Sequence, residues 1–227
     1  MTAVVVLPGM DGTGLMLAEF VEALGPKLPS TVLRYPTQEA LGYAELQARL
    51  LTELPQSGSF LILGESFGGP LALLLAASRP SGLVGVVLCA SFSQFPVGAL
   101  RAAAGLARFV PTHIAPSFLL SWLLLGRWST AALETALASA LASVSQKALR
   151  ARLEDALRVD ASQALSKIEV PLLYLQASHD RVVPASAGSD IVRSTRNTSL
   201  VQVGGPHFLL QASPAACAQE VRRFAGF

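Results

Sequence analysis

Short, almost wholly apolar runs recur along the chain, separated by segments whose apolar residues return at helical spacing. The runs at 2–7, 31–35, 59–64, 83–89, 171–176 and 199–203 predict six strands. Between them, 14–24 sets Leu15, Ala18 and Val21 at helical spacings, and 43–54 places Leu46, Leu50, Leu51 and Leu54 on one stripe. Residues 70–78 predict a very apolar helix. Residues 213–224 predict a closing helix with Pro214 in its first turn, where a missing N–H costs little. Strands that are apolar throughout are the kind covered on both faces. Their alternation with helices predicts an α/β fold, a mainly parallel sheet of about six strands with helices on both faces.

The rhythm breaks between about 96 and 166, where no run reads as a strand. This stretch is rich in Ala, Leu and Ser and carries both tryptophans, Trp122 and Trp128. A crossover between parallel strands usually needs one helix. The length here predicts several, inserted as a cap over the carboxyl edge of the sheet within a single domain spanning 1–227. Composition agrees with one domain, since 227 residues at 52% hydrophobic are enough for a sizeable core.

Charged residues make up 14% and the net charge is +2, with no basic run, which argues against a nucleic-acid partner. No apolar segment approaches the roughly 20 residues of a membrane helix. The N-terminal run lacks the basic flank of a signal peptide. The expectation is therefore a cytoplasmic protein with no integral membrane segment. Cys89 and Cys217 read as two buried free thiols, and no Cys/His cluster has metal-ligand spacing.

The chemistry lies in four loops, each following a predicted strand. Gly64-Glu65-Ser66-Phe67-Gly68 matches G-x-S-x-G between a strand and a helix. A nucleophile on so tight a turn needs small residues two before and two after it. The turn also aims a helix N-terminus at a developing oxyanion. The glycine-rich loop Pro8-Gly9-Met10-Asp11-Gly12-Thr13-Gly14 can turn backbone amides toward an anion, but it lacks both the Walker ending and the dinucleotide spacing. Asp180 and His207 sit in the loops after the fifth and sixth strands, at the edge where open α/β sheets build their sites. The chain order is Ser, Asp, His. A serine needs a base within hydrogen-bond reach, and the base needs a carboxylate to fix its tautomer.

Together LPGMDGTG at 7–14, GESFGG at 64–69, SHDRVVP at 178–184 and GGPHF at 204–208 resemble the α/β-hydrolase superfamily over nearly the whole chain. The likeness is greatest to small capped carboxylesterases and to acyl-carrier methyl-ester or thioester hydrolases. It implies a serine hydrolase acting on a small-molecule ester through an acyl-enzyme, with Ser66 as nucleophile, His207 as base and Asp180 orienting the base. It implies the backbone amides of Met10 and Phe67 as oxyanion donors, and a mechanism that calls for no metal or cofactor. Thioesterase, acyltransferase, perhydrolase and carbon–carbon hydrolase chemistry stay open on the same residues, as does a hydrolase-like receptor. So does the choice between monomer and dimer. Two departures stand out. The histidine that usually precedes glycine in the oxyanion loop is Pro8. The usual antiparallel hairpin before the first strand is missing, which implies a smaller sheet, parallel throughout.

Other residues compete for the same roles. Asp155, Asp160 and Asp190 are rival acids, but the first two fall in the insertion or its exit and the third on a helix. His179 should point away from the site, and His113 belongs to the insertion. Glu65 should make local hydrogen bonds and Asp11 should stabilise its turn. The apolar stretch 118–128 suggests a pocket wall or helix packing, with Trp122 as the pocket candidate. Met16, Phe67 and Phe208 are further pocket candidates because they neighbour the motifs.

Overall fold

The computed structural model describes residues 2–96, 98 and 117–227. Six strands, β1 (Thr2–Leu7), β2 (Ser30–Val32), β3 (Ser59–Glu65), β4 (Leu83–Cys89), β5 (Leu172–Ala177) and β6 (Thr198–Val203), form one sheet in the order β2-β1-β3-β4-β5-β6. Every strand pairing is parallel. The central strands are buried and the two edge strands only partly so, which follows the apolar grading of the sequence.

Strand geometry divides each run between two cores, because successive side chains point to opposite faces. Val5, Leu7, Ile62, Val86 and Leu88 face one core. There they meet α2 (Tyr43–Leu51), α3 (Gly68–Ala77) and α8 (Ala185–Ser194). Val4, Val6, Leu61, Leu63 and Val87 face the other, closed by α1 (Ala18–Leu24), α9 (Leu209–Ala212) and α10 (Pro214–Phe224). Between β4 and β5 the described residues form α4 (Ser117–Leu124), α5 (Ala131–Ala142), α6 (Gln146–Arg158) and α7 (Ser162–Ser166). Thr130 and Ser145 cap α5 and α6 by accepting from Leu133 N and Ala148 N, both at 3.2 Å. Ala164 and Leu165 of α7 belong to the core shared with α3 and α8. The earlier part of the predicted insertion, including His113, lies outside the described residues.

Several boundaries differ from the sequence expectation: the helix expected over 43–54 ends at Leu51, and the one expected over 70–78 begins at Gly68. The strand expected over 31–35 ends at Val32. Beyond it Tyr35 leaves β1 and bonds the glycine-rich loop instead, Tyr35 N donating to Gly12 O at 2.8 Å. The helix expected over 14–24 opens with a 3-10 turn at Leu15–Leu17, behind Gly14 in the left-handed region.

The strand order places the site. β2 lies on one side of β1 and β3 on the other, so connections leaving β1 and β3 diverge and open a crevice at their carboxyl ends. Leu7 pairs with Gly64, so the loops from Pro8 and from Glu65 start side by side.

At Gly64 a Cβ would stand 2.3 Å from Gly68 O and 2.8 Å from Gly69 Cα, both backbone that cannot swing aside. Gly64→Ala is expected to lose about 2–3 kcal/mol, a fall of roughly 5–10 °C in Tm for a chain of this size. Thermal unfolding followed by circular dichroism checks this.

Candidate active site

Ser66 sits between β3 and α3 with φ +49°, one of the non-glycine residues in the left-handed region. Such a backbone persists only where its surroundings over-determine it. Ser66 N donates to Cys89 O at 2.9 Å, while Ser66 O accepts from Gly69 N at 3.0 Å and from Ser91 Oγ at 2.7 Å. Ser91 is itself buried and held by Tyr174, whose hydroxyl donates to Ser91 O at 2.6 Å. The close packing extends down the helix, where a Cβ on Gly69 would lie 1.8 Å from Ser91 Oγ.

The hydroxyl that this turn presents is joined to two distant loops. Ser66 Oγ lies 2.9 Å from His207 Nε2. His207 Nδ1 lies 2.9 Å from Asp180 Oδ2 and 3.0 Å from Oδ1. A carboxylate only accepts, so this contact assigns the proton to Nδ1 and leaves Nε2 free to accept from the serine. Asp180 Oδ1 also accepts from Val182 N and Val183 N, each at 2.8 Å, which fixes the carboxylate before the imidazole reaches it. The His207 and Asp180 side chains are 3% and 6% exposed, so the pair is shielded from competing water.

Two peptide groups beside Ser66 are pinned from behind. Gly9 O accepts from Gly12 N at 3.0 Å, so in a trans peptide the Met10 N–H points the opposite way. The two bonds to Ser66 O set the Phe67 N–H in the same manner. Asp11 Oδ1 accepts from Thr13 N at 2.9 Å and from the Thr13 hydroxyl, holding the turn as its position suggests. The Phe67 ring points into the core, 1% exposed and stacked on Tyr43 with centroids 4.4 Å apart, which removes it as a pocket wall.

The remaining candidates are dispersed. Phe208 is half-buried with its ring 6.1 Å from that of His207, and its N–H donates to Leu124 O at 3.0 Å, tying the histidine loop to α4. Met16 lines a cavity of about 640 Å³ with Trp128, Leu133 and Gln211. Trp122 is 55% exposed, with the Arg181 guanidinium 4.4 Å from its ring centroid. His179 is exposed beside Trp128, its Nδ1 2.7 Å from Ser178 Oγ. Asp155 accepts from Tyr43 N at 2.8 Å and Asp190 pairs with Arg193 on α8, so both are committed elsewhere.

Sequence reading missed Ser91, Tyr35, Tyr43, Arg152 and Gln211, all of which touch the turns of the site. It also placed the bonds of Glu65 locally, whereas Gln211 Nε2 reaches Glu65 Oε2 at 3.1 Å across 146 residues.

Fold and geometry together are those of an α/β-hydrolase. The family model described as serine aminopeptidase, S33, matches residues 43–204, and the chain belongs to that family. Among curated proteins, no sequence matches it. Three solved structures show how far the fold is shared. The bromoperoxidase from Bacillus anthracis superposes with TM-score 0.86 at 15% identity, over 100% of this chain and 92% of that one. The enol-lactonase from Burkholderia xenovorans LB400 does so with TM-score 0.82 at 15% identity, over 100% and 92%. The esterase from Exiguobacterium antarcticum gives TM-score 0.82 at 15% identity, again over 100% and 92%. At such identities the likeness is one of fold.

Burial pushes the Glu65 carboxyl from 4.5 up to about 7, against the opposing pull of its Gln211 hydrogen bond and of His207. Between these values the folded chain keeps a proton that the unfolded chain releases, so stability falls as pH rises through the window. The full effect is up to roughly 3 kcal/mol. Glu65→Gln should flatten this slope, leaving the variant close to the parent at pH 4.5 and more stable at pH 8. Urea unfolding at the two pH values reads the difference.

Proposed function

We propose that the protein is a serine hydrolase that cleaves carboxylic esters through an acyl-enzyme on Ser66. The observation that carries this is the continuous hydrogen-bond chain from Ser66 Oγ through His207 to the buried Asp180 carboxylate.

In this reading Ser66 Oγ attacks the ester carbonyl carbon while its proton passes to His207 Nε2. Asp180 holds Nδ1–H and stabilises the imidazolium. The carbonyl oxygen takes the developing negative charge, met by the Met10 and Phe67 amides whose carbonyl partners are already committed. Collapse expels the alkoxide, which takes the proton from Nε2 and leaves as the alcohol. Water then attacks acyl-Ser66 with His207 again as base, releasing the acid and restoring the hydroxyl.

The helices between β4 and β5 serve as a cap over this edge. Two bonds support their placement there: Phe208 N to Leu124 O, and Arg181 to Trp122 O. Phe208, beside the imidazole, suits an apolar wall for a short- to medium-chain acyl or alkyl group. Met16 and Trp122 would stand further out, toward the mouth.

Hydrolysis of p-nitrophenyl esters from acetate to laurate should peak at one chain length and fall about 10⁴–10⁶-fold in Ser66→Ala. A fluorophosphonate should add its mass to Ser66 in the parent alone. A folded Ser66→Ala protein with undiminished turnover would defeat the reading.

A further inference from the structure

Among the described residues, Arg152 on α6 is a charged side chain with no solvent exposure. It is wholly buried, and among the described residues it forms no ion pair, the Asp11 carboxylate acting on it only from beyond pairing distance. A buried cation carries a desolvation cost of several kcal/mol unless its surroundings answer the charge. Here carbonyl oxygens answer it. Nη1 donates to Met10 O and to Asp11 O, both at 2.9 Å, and Nη2 donates to Pro36 O at 2.6 Å. The guanidinium also lies 5.4 Å from the centroid of the Tyr35 ring. Tyr35 in turn donates its hydroxyl to Pro8 O at 2.9 Å and its N–H to Gly12 O. The loop is moulded to this pair, since a Cβ on Gly12 would stand 2.5 Å from the Tyr35 ring and 2.9 Å from Nη1.

The orientation of the Met10 N–H depends on the peptide planes on either side of Met10 Cα. Gly12 N fixes the plane before it, and Arg152 fixes the plane after it. Pro8 offers no side-chain donor to brace the loop from within. The same face of α6 reaches the second turn through Asp155, three residues on, which accepts from Tyr43 N while the Tyr43 hydroxyl donates to Phe67 O at 3.0 Å.

We infer that Arg152 is the positioning residue of the oxyanion loop, a guanidinium supplied by an inserted helix that holds the Met10 amide in the direction the tetrahedral intermediate requires. The inference rests on the serine-hydrolase reading. Its energetic basis is preorganisation: a donor fixed before the reaction spends no free energy turning toward the charge. Substrate binding in the ground state needs this direction far less than the intermediate does, so the effect belongs in kcat rather than KM.

The test compares the parent with Arg152→Lys, Arg152→Met and Arg152→Ala on the best p-nitrophenyl ester. It also measures inhibition by an alkyl trifluoromethyl ketone, which forms a tetrahedral oxyanion on the serine. In the methionine and alanine variants kcat should fall about 10²–10³-fold, the range for a lost oxyanion donor, with KM within about threefold of the parent. Ketone affinity should weaken in step with kcat. Lysine, which keeps the charge but not the fork, should recover part of the loss. Added methylguanidinium should restore turnover at least about tenfold in Arg152→Ala and leave the parent unchanged, a response that loosened packing would not give. Folded variants with kcat and ketone affinity within threefold of the parent would overturn the inference. Loss of the fold in every variant, lysine included, would assign Arg152 to stability and overturn it too. A parent that neither turns over esters nor takes fluorophosphonate at Ser66 would instead bring down the reading beneath it.

Discussion

Ser66 holds a left-handed backbone that an L-residue adopts at a cost of order 1–3 kcal/mol, and both its N–H and its carbonyl are bonded to keep it there. The consequences run outward from that dihedral. It forces the close approach of Gly64 to Gly68 and Gly69, it turns the hydroxyl toward His207, and it starts α3 immediately behind Ser66. Ser91 exists in the core for the same reason, as a buried hydroxyl bonded to the carbonyl of the strained residue. The turn explains a polar side chain at 0% exposure that apolar packing alone would not.

Beneath the two turns lies a layer in which hydroxyls and one guanidinium do the work that backbone pairing does in the sheet. Tyr35, Tyr43 and Tyr174 each donate to a carbonyl of a loop that borders Ser66 or Met10. Burial pushes all three phenols above their ordinary range, so they stay neutral and keep their donor proton across physiological pH. Each satisfies a carbonyl that would otherwise be stranded away from water. The aromatic bodies of the same residues fill the core, as the stacking of Tyr43 on Phe67 shows.

What could be read from the chain is what is written locally. The six strands, the loops at their carboxyl ends and the order of Ser66, Asp180 and His207 follow from runs and short motifs, whose determinants lie within a few residues of one another. The ends of elements were less legible, because Tyr35 is drawn off its strand by Gly12, far away in sequence. Arg152 was invisible for a stronger reason. Its partners are 116, 141 and 142 residues distant, and an arginine on an amphipathic helix reads as solvated until the other side of the contact is known. Gln211 and Glu65 were hidden in the same way, as was the orientation of Phe67, whose place beside Ser66 suggested a pocket and whose ring faces the core.

These long separations also order events in time. A chain emerging from synthesis can pair β1 with β3 early, since only a few dozen residues divide them. The loop at Met10 has no guanidinium to fold around until α6 is made, and the His207 imidazole arrives later still. Contacts across such spans form slowly, because loop closure must come before any gain from the contact. Ser66 is thus housed long before His207 can reach it. A fragment released by premature termination before residue 207 carries Ser66 without the imidazole that bonds it in the folded protein.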